Sequence, residues 1–177
     1  MAELAKWESF YVIVGPSAGA LIGVQFVVVT LLMNMRVRPT AESVHAFATP
    51  TVVYFGGALL VSAMMSVPWP SFFPTSVALA VCGLGGLGYV AVVVRRVRRQ
   101  TRYKPVWEDW LWYTILPCTL YASLALAAVF LSTTTQLTLF AIAGASLGLL
   151  FIGIHNAWDT VTHIIIVDSH GNATEPE

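Results

Sequence analysis

The chain has 177 residues (19.2 kDa), is 57% hydrophobic and 10% charged, and has a mean hydropathy of +0.76, whereas a soluble domain carries about 25% charged residues. A soluble globule cannot bury that much apolar surface, and nine basic residues balanced by nine acidic ones leave no net field to attract a nucleic acid. The composition therefore excludes a soluble domain and a nucleic-acid partner, and predicts an all-α integral membrane protein.

Charge-free runs set the number of spans. Residues Ser9–Met35 (27 residues), Ser43–Val94 (52) and Trp110–Trp158 (49) contain no Asp, Glu, Lys or Arg. One crossing takes about 20 apolar residues, so the first run is one helix and each of the other two is a helical hairpin. This gives five spans, near residues 10–34, 46–66, 75–94, 110–131 and 137–155, the last extended along the interface to 167 and followed by a polar tail, 168–177. The first span is too long for a cleaved signal peptide and is read as a retained helix.

The first span carries Gly15, Gly19 and Gly23 four residues apart, a small-residue ridge that lets another helix backbone approach closely. The expectation is an intramolecular partner. Gln25, the most polar group deep in this span, is read as an interhelical hydrogen-bonding residue. Arg36 and Arg38 follow, and Thr49-Pro50 is a helix-start signal, Thr at the N-cap and Pro at the first helical position. Pro68-Trp69-Pro70-Ser71-Phe72-Phe73-Pro74 breaks the chain into a tight turn at the headgroup level.

The third span contains Cys82-Gly83-Leu84-Gly85-Gly86-Leu87-Gly88. Mid-span, with no preceding strand and no following Lys-Ser/Thr, this is a packing ridge and not a phosphate loop. Arg95-Arg96-Val97-Arg98-Arg99 and then Arg102 and Lys104 form a stop-transfer cluster. The fourth span opens on an acidic, Trp/Tyr-rich belt, Trp107 to Tyr113, and is kinked by Pro117. Ser132-Thr133-Thr134-Thr135-Gln136 is a polar turn, and Ala143–Gly148 is a third small-residue ridge. Cys82 and Cys118 both fall inside spans and are read as packing residues, not as a disulfide.

Putting the loops after spans one and three in the cytoplasm collects eight of the nine basic residues inside, all but Lys6, as the positive-inside rule requires. The N-terminus is then outside and the C-terminus inside. This topology gathers Glu42 and His45 before span two, Glu108 and Asp109 before span four, and His155, Asp159 and His163 after span five at one height. Positions 155, 159 and 163 are four apart, so each steps about 40° around a helix and the three share a stripe. Imidazole and carboxylate at that spacing are a candidate transition-metal site, His45, Glu108, His155, Asp159 and His163, with haem ligation by His45 and His155 or His163 as a further option. The competing reading is structural: polar groups gather where a helix leaves the bilayer, and His near a helix C-terminus complements its dipole. The structural reading is preferred.

No Lys, Arg, Asp or Glu occupies the middle of any span, which disfavours proton-coupled transporters, voltage sensors and retinal proteins. No inverted repeat, nucleophile elbow or Walker loop is found. Three readings remain. The leading one is a non-catalytic membrane protein that binds lipids or partner proteins through small-residue helix faces and basic cytoplasmic loops, and forms homo-oligomers. The others are a metal- or haem-dependent membrane protein and a small oligomeric channel.

The motifs Gly-x-Ser-Ala-Gly-x-x-x-Gly-Val-x-Phe-Val in span one, Ala-Thr-Pro-Thr-Val-Val-Tyr-Phe-Gly in span two and Gly-Ile-His-Asn-Ala-Trp-Asp in span five resemble those of small, uncharacterised multi-pass bacterial membrane proteins. The resemblance covers most of the chain. It implies a location in the bacterial plasma membrane and assigns no functional residue.

Overall fold

The computed structural model describes residues 2–34, 49–99 and 107–171, with side chains for 3–31, 49–95, 107–108 and 110–162. The described residues are helical apart from short turns. In order these are α1 (Ala2–Ala5), α2 (Glu8–Asn34), α3 (Thr49–Ser66), α4 (Phe72–Arg99), α5 (Trp107–Trp110), a π-helical turn (Leu111–Ile115), α6 (Leu116–Phe130) and α7 (Thr135–Gly171). Among the described residues five stretches are long and apolar enough to cross a membrane: Glu8–Leu31, Thr49–Ser66, Phe72–Arg95, Leu111–Phe130 and Thr135–Thr162. They coincide with the five expected spans. The last helix continues to Gly171, so the first four residues of the expected tail are helical.

The turns explain where the helices stop. After α3, Trp69 Nε1 donates to the Met64 carbonyl at 2.7 Å, satisfying one of the carbonyls that a helix end leaves without a partner. Between α6 and α7, the amides of Thr133 and Thr134 bond back to the Phe130 carbonyl, and Thr135 Oγ1 reaches the Leu131 carbonyl. Hydroxyls on outward faces also return to their own helix: Ser17 to Ile13, Thr30 to Phe26 and Thr119 to Ile115. Such back-bonding is what a polar side chain requires where no water is present.

The helices are neighbours in the order α2, α3, α7, α6, α4, with α3 and α4 closing the ring along a thinner seam. Successive spans run in alternating directions, so α3 and α7 are antiparallel, as are α6 and α7. The core lies inside this ring and includes Tyr54, Phe55, Leu79, Leu124, Leu139 and Leu149. Outside, Val12, Ile13, Phe26, Val27, Leu84, Val129 and Phe151 are exposed, a surface that suits lipid and not water.

Glycines decide how closely the ring packs. A Cβ at Gly83 would meet the Ala125 backbone nitrogen at 2.6 Å, and one at Gly86 would run into the Tyr121 ring. Gly57 leaves room for the Tyr121 hydroxyl, Gly148 for Leu120 and Gly153 for the Phe55 ring. The Tyr121 ring therefore sits between a glycine of α3 and a glycine of α4. Of the ridge on α2, Gly15 lies against Ser62 of α3, but Gly19 and Gly23 have open space beside them. Among the described residues the expected intramolecular partner is present for one member of the ridge and not for the other two. Gly85, Gly88 and Gly144 are also open. Gln25 is buried, and both cysteines are free thiols, Cys82 buried and Cys118 exposed.

Candidate functional site

Polar chemistry concentrates at the end of the ring where α3 begins, α6 is entered and α7 leaves. Its geometry starts from Pro117. Proline has no N–H, so the carbonyl four residues earlier, that of Tyr113, loses its ordinary helical partner. The chain responds with a wider turn: the Leu116 N–H bonds to the Leu111 carbonyl, five residues back. Such π turns are often found at functional positions. The carbonyl left by Pro117 is taken up by another helix, because Tyr54 Oη of α3 donates to Tyr113 O at 3.0 Å.

The turn also aims Trp112 at α7. Its indole stacks on the His155 imidazole with ring centroids 3.6 Å apart and planes 8° from parallel. His155 Nδ1 lies 3.5 Å from Asn156 Oδ1, at the outer limit of hydrogen-bond distance. Asn156 itself is 0% exposed, and among the described residues its side-chain nitrogen Nδ2 has no hydrogen-bond acceptor. The contact of Phe55 with Gly153 sets the register of the antiparallel pair α3 and α7. Asn156, one turn past Gly153, therefore lies level with the buried Thr51, one turn before Phe55.

The five residues singled out as metal ligands fare unequally. His155 is partly buried and stacked as described, whereas Asp159, one turn further along α7, and Glu108, one turn before Trp112, are exposed. His45 lies outside the described residues, as does the side chain of His163, although its backbone belongs to α7. Among the described residues no group of three His, Cys, Asp or Glu side chains could hold a metal ion.

Sequence reasoning found His155 but missed its partners. Tyr54 and Asn156 fall inside the stretches that carry the family resemblance, which assigns no functional residue, and Trp112 reads as one more interfacial aromatic. Pro117 was a usable signal: counting back four residues names Tyr113 as a carbonyl in need of a donor.

The fold and this site define a class: an all-α bundle whose five long helices are apolar enough to cross a membrane, with a buried polar cluster at one end. Compared with protein-family models, with curated proteins and with solved structures, the chain matches none.

Proposed function

We propose that this chain is a non-catalytic multi-pass protein of the bacterial plasma membrane that engages lipids or partner membrane proteins. The engaging surfaces are its open small-residue helix faces and its basic cytoplasmic loops. The observation that carries this reading is the ridge on α2. Gly15 lies against Ser62, while among the described residues Gly19 and Gly23 have open space beside them on the outermost helix of the bundle, next to the exposed Val24, Phe26 and Val27. A ridge that continues past its internal partner offers a second backbone or an acyl chain the same close approach.

The orientation in this reading is N-terminus outside and C-terminus inside, supported by the distribution of basic residues. The arginines after spans one and three then face the anionic inner leaflet, where each contributes about 1 kcal/mol of attraction. The polar end with Tyr54, Trp112, His155 and Asn156 lies on the same, cytoplasmic side. Homo-oligomerisation through α2 is part of the proposal.

The test is cross-linking in native membranes, followed by native mass spectrometry, for wild type and the Gly19→Ile/Gly23→Ile variant. Both positions have open space beside them, so the variant keeps its bundle. The proposal expects loss of the cross-linked species or of tightly retained lipid, and is contradicted by an unchanged pattern of both.

A further inference from the structure

No further inference is drawn: the strongest candidate, the buried Asn156 amide at the polar end of the bundle, has no acceptor for Nδ2 among the described residues but is 0% exposed, which leaves no room beside it for a ligand, and nothing in the structure shows what covers it.

Discussion

The middle of the bundle and its polar end are held by different physics. In the middle, α4 and α6 meet backbone to backbone at Gly83 and Ala125, and the Tyr121 ring lies in a slot left by Gly57 and Gly86. The fit at these contacts is steric, and in lipid close contact of this kind is what drives helices together, with the buried hydrogen bond from Ser146 Oγ of α7 to the Ala58 carbonyl of α3 at 3.4 Å as a polar addition nearby. At the end, the same span makes directional contacts, among them the Tyr54–Tyr113 hydrogen bond and the Trp112–His155 ring stack, near an amide, that of Asn156, which lacks an acceptor among the described residues. A steric joint fails abruptly when a side chain is added, whereas a directional joint loosens by the strength of one bond.

The comparison breaks most visibly at Gly83. A side chain there meets main chain, which cannot turn aside as a rotamer can, so Gly83→Val should part α4 from α6 and abolish monodisperse protein in size-exclusion chromatography. Gly86→Ala ranks next, because the added methyl would overlap the Tyr121 ring; overpacking of this kind costs about 1–3 kcal/mol. The slot is the cause if Tyr121→Leu restores the thermal stability of Gly86→Ala, a coupling that a double-mutant cycle measures.

Smaller still is the effect at the polar end. Tyr54→Phe removes the bond from Tyr54 Oη to Tyr113 O and should lower unfolding stability by about 1 kcal/mol, the range for a single interhelical bond. Denaturation in mild detergent measures it, and a loss as large as that of Gly83→Val would erase the distinction between the two regions.

Most of the architecture was legible in the sequence because a bilayer fixes the length of a span and excludes charge from its middle. The three charge-free runs alone give five helices, and the structure has five long apolar helices at those positions. The glycine ridges were legible as packing surfaces but not as interior or exterior ones. Gly83 and Gly86 face the ring while Gly85 and Gly88 have open space, and that difference depends on helix rotation, which an all-round apolar helix does not encode in its pattern.

The candidate site was legible only in part, for a related reason. His155 stands out as an ionisable group next to an apolar span, but its stacking partner Trp112 is placed by a π turn in span four, and the burial of its chain neighbour Asn156 depends on the rotation of α7. Pro117 predicts that something must yield nearby. It does not say that Tyr54, 59 positions before Tyr113 in the chain, supplies the missing donor. His45 and the His163 side chain lie outside the described residues, so the expected stripe is represented there by His155 and Asp159.

The account rests on a bundle that crosses the membrane five times with its polar end in the cytoplasm, and cysteine accessibility tests that most directly. Single cysteines at Ser71, Thr133, Glu108 and Asp159, all exposed in the structure, would be placed in a chain whose Cys82 and Cys118 are replaced by alanine and serine. Intact cells would then be treated with a membrane-impermeant thiol reagent. The account predicts labelling at positions 71 and 133 from outside, and at 108 and 159 only after the membrane is permeabilised. Labelling of 108 or 159 in intact cells would contradict it.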